Sequence, residues 1–222
     1  MSVYRTSILG TSNIGIYALT TNKYTILPPE TSEGIARKIK ECLKGEIVRT
    51  SICGTRLIGV FGVANSNGMI LSDLASEEEV TAIKSVLPIN IERVESKISA
   101  FGNLVLANDH GGVASNLLLR EKGLVEKIEE VLDVEVVTGE IAGLPYVGSV
   151  AVATNKGVLA HPLLRDEERK LLEEVLKVPI NVGTINGGYP WVASGILAND
   201  YGVVIGNFTT GPEILIISNT LT

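Results

Sequence analysis

Cysteine, histidine and tryptophan are nearly absent from this 222-residue chain, with two, two and one copies. Cys42 and Cys53 stand in a sequence whose start, MSVYRTSILG, has no basic segment leading into an apolar stretch. A reducing, cytoplasmic setting without a disulfide framework is expected. His110 and His161 fall in different parts of the chain, without H-x-x-x-H spacing or a neighbouring cysteine, so no metal site is expected. No apolar run approaches the roughly 20 residues that cross a bilayer. Neither G-x-x-x-x-G-K-[ST] nor a G-x-G-x-x-G opening a helix occurs, so no nucleotide cofactor is expected. Nineteen Lys and Arg against 25 Asp and Glu give a net charge of −6. That balance excludes a protein that holds nucleic acid mainly by neutralising phosphates, while leaving local contact with RNA open.

What is abundant is self-similarity. IGIYALTTNKY (from Ile14), IGVFGVANSNG (Ile58), FGNLVLANDHG (Phe101), VGSVAVATNKG (Val147) and VASGILANDYG (Val192) align without gaps at intervals of about 45 residues. Their second position is always small: Gly15, Gly59, Gly102, Gly148, Ala193. Their last is Gly68, Gly111, Gly157 and Gly202, with Tyr24 as the exception. A fixed period of this length marks a repeat architecture.

The second copy shows the unit. Leu57 to Ala64 is an apolar run that reads as a buried strand, and Asn67-Gly68 reads as a hairpin turn at positive φ before the return strand Met69 to Leu71. Ser76 and Glu79 form a capping-box pattern, from which a helix runs to about Leu87, burying Val80, Ile83 and Leu87 on one stripe. Pro88 ends it, and Ile89 opens another strand. Matching stripes are Ile35, Ile39 and Leu43, then Leu124, Ile128 and Val131, then Leu171, Leu172, Val175 and Leu176. Charges such as Lys38, Glu126 and Lys170 read as solvated faces.

In the fifth unit, Glu213 to Ile217 has strand propensity, but register and the Thr210-Gly211-Pro212-Glu213 capping pattern predict a short helix over about 210–221. The chain then stops before the strand that ends a unit, while Val3 to Ile8 is an opening strand without a unit. The economical solution is an α+β fold: a five-fold pseudo-symmetric ring of ββαβ-like repeats, closed by the N-terminal strand, with residues 1–222 forming one domain.

Catalytic chemistry is poorly supported. Cys42 takes an inward helix position, and Cys53 aligns with Leu9, which reads as packing rather than as a nucleophile. A small ligand at the axis lacks convergent charge to hold it. The polar turns, such as Asn65-Ser66-Asn67 and Asn108-Asp109-His110, follow from turn chemistry. In a ring they form a broad polar surface, suited to docking on a large partner.

The five-copy pattern, together with ERVESKISAFGNLVLAND (Glu92 to Asp109), KVPINVGTINGG (Lys177 to Gly188) and ASGILAND (Ala193 to Asp200), resembles the translation initiation factor six family, in its archaeal form, over essentially the whole chain. The resemblance implies a pentein-type fold and a monomer without cofactor. It implies binding to the large ribosomal subunit, to ribosomal proteins near the sarcin–ricin loop with limited rRNA contact, so that subunit joining is blocked sterically. Removal by a release factor and an elongation-factor-like GTPase is implied as well. By matching position, the ribosome-binding candidates are Gly15, Asn65, Ser66 and Asn103. Phe61 stands where eukaryotic members tend to carry a basic residue. The alternative is a pentein-fold enzyme modifying guanidino groups. That class needs a cysteine late in the chain, and none follows Cys53.

Overall fold

The apolar run of unit two does not form one strand. In the computed structural model, which describes residues 2–222, Ile58–Phe61 is a single helical turn and only Gly62–Ala64 is extended. Four apolar residues look the same in either state, so periodicity could not separate them. The small second position explains the turn. A Cβ on Gly59 would lie 1.9 Å from the Gly15 carbonyl oxygen, one on Gly102 2.1 Å from that of Gly59, and one on Gly148 2.2 Å from that of Gly102. On Gly15 it would lie 1.9 Å from the Ala193 oxygen. The five helical turns therefore stack head to tail around an axis, closer than a side chain permits. The fifth, Val192–Gly195, carries the alanine and is wound as a 3-10 turn.

Each helical turn leads into a three-stranded sheet. In unit two, Gly62–Ala64 pairs antiparallel with Gly68–Ser72, which pairs parallel with Asn90–Val94 across the helix Glu77–Lys84. Units one, three and four repeat this order. In unit five the third strand is Ser2–Thr6, in register from Ser2 with Gly202 to Thr6 with Gly206. The expected ring closure by the N-terminal strand is present, and it covers the edge that Gly202–Gly206 would otherwise expose.

The helices Glu33–Leu43, Glu77–Lys84, Leu124–Leu132, Asp166–Leu176 and Gly211–Leu221 occupy the expected places. The last spans 11 residues and is not the short helix expected. The second stops at Lys84, yet Leu87 stays buried beyond it. Every helix wedges between its own sheet and that of the preceding unit. Ile128 and Val131 pack with Val63 and Ile70 of unit two as well as Ala114 and Val136 of unit three. Ile39 and Leu43 likewise meet Leu197 and Val204 of unit five. The core is thus five clusters, each shared across a seam.

The Asn-Gly signal had a different cause from the one expected. Neither Asn67 nor Gly68 has positive φ. The turn is organised by Asn65, whose Oδ1 accepts from the N–H groups of Asn67 and Gly68 at 2.9 and 3.0 Å. Gly68 is required by approach: a Cβ there would sit 2.0 Å from the Val131 carbonyl oxygen of the next unit's helix. Gly111 and Gly157 meet Val175 and Thr220 in the same way, at 2.2 and 2.1 Å. Tyr24, the exception, is fully buried, and the helix facing it is the shortest of the five. Its ring packs with Ile83 and Leu87 instead.

Turns with two consecutive residues at positive φ do occur, ahead of the helical turns. They are Leu9-Gly10, Cys53-Gly54, Ala142-Gly143 and Asn186-Gly187, the last continued at positive φ by Gly188. Leu9 and Cys53 are equivalent because both sit in such a turn, not because both pack. Leu9 is exposed.

Candidate binding surface at the open end of the axis

The two ends of the axis are chemically unlike. At one end the five polar turns meet. Ser66 N donates to Asp109 Oδ1 (2.7 Å), Asp109 N to Asn155 Oδ1 (2.9 Å), Asn155 N to Asp200 Oδ1 (2.9 Å) and Asp200 N to Asn22 Oδ1 (2.9 Å). Between units one and two the serine side chain is too short for this pattern, and Lys23 Nζ donates to the Ser66 carbonyl instead. Asn22 and Asn155 each donate to both Asp109 and Asp200. Charge therefore does converge at the axis, contrary to the sequence reading. Burial alone would raise the Asp109 carboxyl, but hydrogen bonds from Asn155, Ser66 and Asn22 hold it below its ordinary value.

The preceding turn residue, where it is asparagine, seals three of the five seams, and Thr154 Oγ1 donates to the Leu221 carbonyl at a fourth. Asn65 Nδ2 donates to the carbonyls of Asn108 and Leu132, Asn108 Nδ2 to those of Thr154 and Leu176, and Asn199 Nδ2 to those of Thr21 and Leu43. These bonds satisfy carbonyls at helix C-termini that lack a partner within the helix. Asn65 is buried with both donors and its acceptor engaged, and Ser66 is spent on Asp109. These two candidates lie together, at the sealed end.

Gly15 and Asn103 lie together at the other end. There the helical turns surround a depression of about 270 Å³, lined by Gly15, Val60, Asn103, Ser149, Tyr189 and Trp191 among others. Asn103 is the third residue of its turn, where the other units have Ile16, Val60, Ser149 and Ser194. Asn103, Ser149 and Ser194 therefore form one polar arc of the rim, and Ile16 and Val60 an apolar arc. Trp191 packs at a tilt of 41° against exposed Tyr146, with ring centroids 5.9 Å apart, and Phe208 projects nearby in a cleft with Tyr189. Phe208 is 74% exposed. Aromatic side chains with one wet face are typical anchors of protein interfaces. Sequence reasoning passed over this group. The only signal was aromatics clustered before Val192, outside the strand period. Phe61 is half-buried against the cluster around Tyr24 and Ile58.

Neither thiol is disposed as a nucleophile. Burial, with Glu79 and Asp73 nearby, pushes Cys53 up to about 11. Cys42 is also raised by burial, its Sγ donating to the carbonyls of Ser2 and Val203. A reactive cysteine needs the opposite shift. His110 is exposed, and His161 is buried, its Nδ1 accepting from Leu163 N. Among the described residues no helix is long and apolar enough to cross a membrane.

The chain is 39% identical over 224 residues to translation initiation factor 6 of Staphylothermus marinus, covering 100% of this chain and 98% of that protein. It is 41% identical to that of Methanocaldococcus jannaschii, covering 99% and 97%, and 37% identical to that of Sulfolobus acidocaldarius, covering 97% and 96%. Among solved structures, DDAH from Pseudomonas aeruginosa complexed with citrulline is similar at a TM-score of 0.47 and 13% identity, over 76% of this chain and 69% of that one. A sequence model of the eIF-6 family matches residues 3–220. A ring of five units, open and aromatic at one end, thus has full-length relatives named as translation initiation factors, and the chain belongs to the eIF-6 family.

Proposed function

We propose that this chain binds the large ribosomal subunit through the open end of its axis and keeps the small subunit from joining by occupying the intersubunit face. The observation that carries the reading is the placement of Gly15 and Asn103 in one depression rimmed by Tyr189, Trp191 and Tyr146. At the opposite end the side chains of Asn65, Ser66, Asp109, Asn155 and Asp200 are bonded to one another or to backbone across the seams. Of the four residues matched by family resemblance, Gly15 and Asn103 are therefore assigned to the docking face. Asn65 and Ser66 are assigned to ring closure. Gly15 contributes a flat backbone surface, since nothing larger fits the ring, and Asn103 contributes hydrogen bonds.

The partner surface is the subunit's protein near the sarcin–ricin loop, with limited rRNA contact, in keeping with the acidic net charge. The protein acts as a monomer of one domain in the cytoplasm and makes or breaks no bond. Its release falls to a release factor and an elongation-factor-like GTPase. The guanidino-enzyme alternative has no supporting thiol, both being raised above their ordinary range. Co-sedimentation with purified subunits tests the proposal. The protein should travel with large subunits, be absent from small ones, and reduce joined ribosomes as it is added. No comigration at micromolar concentration overturns it.

A further inference from the structure

Three of the four positive-φ turns hold a carboxylate in the same way. Glu79 accepts from Cys53 N and Gly54 N, both at 2.9 Å. Glu168 accepts from Ala142 N and Gly143 N, both at 2.8 Å. Glu213 accepts from Gly187 N and Gly188 N at 3.1 and 2.8 Å. In each case one oxygen takes each N–H, and the glutamate is the third residue of the helix in the same unit. Successive N–H groups in such a turn form a concavity that binds anions. The fourth turn, Leu9-Gly10, has a bridge of Ile8 with Thr11, spaced as in the Cys53 and Ala142 turns, and two positive φ values in the same range, +51° and +78°. Its own helix, Glu33–Leu43, carries Ile35 at the third position. Among the described residues the N–H groups of Leu9 and Gly10 meet no acceptor, and both residues are exposed.

We infer that the Leu9-Gly10 turn is a docking point for a carboxylate supplied by a partner protein, taking the place that Glu79, Glu168 and Glu213 fill in the sister turns. The turn leads into the helical turn of Gly15 through Thr11, Ser12 and Asn13, which line the cleft shared with Tyr189 and Phe208 beside the open end. The inference rests on the proposed docking of that end on the ribosomal subunit, and it names an Asp or Glu side chain of a subunit protein as the contact. A carboxylate is favoured over an RNA phosphate for two reasons. The sister turns are each matched to two carboxylate oxygens. A carboxylate also carries less negative charge than RNA, whose phosphates follow one another along the strand, and so is repelled less by a chain of net charge −6.

The test has two arms on the full chain. In the first, sodium acetate is titrated into the protein and the amide signals of Leu9 and Gly10 are followed by NMR, with sodium phosphate and sodium chloride as comparisons. A saturable downfield shift of both with acetate is expected, and it should vanish in Ile35→Glu, whose own carboxylate reaches the turn. No saturation with acetate, or an unchanged response in Ile35→Glu, overturns the inference; saturation by phosphate alone overturns it in favour of RNA. In the second arm, Leu9→Asp is compared with Leu9→Asn. Both residues tolerate positive φ better than leucine, so both should fold, and they differ in charge. Leu9→Asp should bind large subunits at least about fivefold more weakly than Leu9→Asn, through repulsion of the incoming carboxylate. Equal binding overturns the inference while leaving the proposed function intact. Failure of the unaltered protein to bind subunits would sink the proposed function, and the acetate arm would still decide the turn.

Discussion

Asn199 Nδ2 donates to the Leu43 carbonyl oxygen at 2.8 Å, joining the last unit's turn to the C-terminus of the first unit's helix. The same amide serves Thr21, so one side chain ties two segments of unit one to unit five. Both carbonyls are buried, and without the amide both lose a partner.

Asn199→Ala should therefore cost about 2–4 kcal/mol, from two buried acceptors left unpaired. Asn103→Ala, at the open end, should change stability by less than about 0.5 kcal/mol and instead weaken co-sedimentation with large subunits. Urea melts alongside gradient binding assays read both. Equal stability losses would show that Asn103 is a structural residue.

Gly59→Ala places a Cβ against the Gly15 carbonyl and should destabilise the ring by about 3 kcal/mol or more, because backbone must move. Ala193→Gly, at the position that already accepts a methyl, should cost about 1 kcal/mol or less. Thermal melts of the pair measure how tightly the five helical turns are stacked.

Acid should weaken the fold through the glutamates that hold the turns. Burial alone would raise Glu213, but the N–H groups of Thr210 and Gly188 and the Thr184 hydroxyl bring it down to about 2. Glu79 and Asp109 are lowered in the same sense. A carboxylate depressed in the folded state stabilises it above the unfolded value of about 4.3 and loses that contribution as pH falls toward the folded value. Stability should thus drop between about pH 5 and pH 2. Glu213→Gln should cost about 1–3 kcal/mol at pH 7, and the gap from the unaltered protein should narrow across that window. A gap constant with pH would rule this out.

Trp191 is the only tryptophan and lines the open depression. Its emission should shift to the blue and lose access to a soluble quencher when large subunits are added, and stay unchanged with small subunits. Unchanged emission in a co-sedimenting sample would place the contact elsewhere on the molecule.

The ring was legible in the sequence because its period is carried by residues that meet the same constraint five times. Gly15, Gly59, Gly102 and Gly148 betray a shared close approach, although its nature, a carbonyl beneath the Cα, is a long-range fact no single unit contains. Ser76 with Glu79 and Thr210 with Glu213 were readable as caps. Their reach across to Gly54 and Gly188 was not, since those partners lie 25 residues away. The site was less legible. Asn65 and Asn103 have the same polarity in sequence, and only the fold assigns one to a sealed seam and the other to an open rim. Tyr24 shows the converse: a broken pattern that marks a different packing solution and carries no functional signal.

The pairing of Ser2–Thr6 with Gly202–Gly206 also orders the assembly of the molecule in time. Ser2–Thr6 lies about 200 residues ahead of its partner strand, so it must wait for the fifth unit before it finds its place, and four units can gather as an open arc meanwhile. Joining the ends of so long a loop is the slowest kind of contact to form. A newly made chain therefore stays vulnerable to pairing with another arc until its own tail arrives, and the ring is finished only by its first and last segments together.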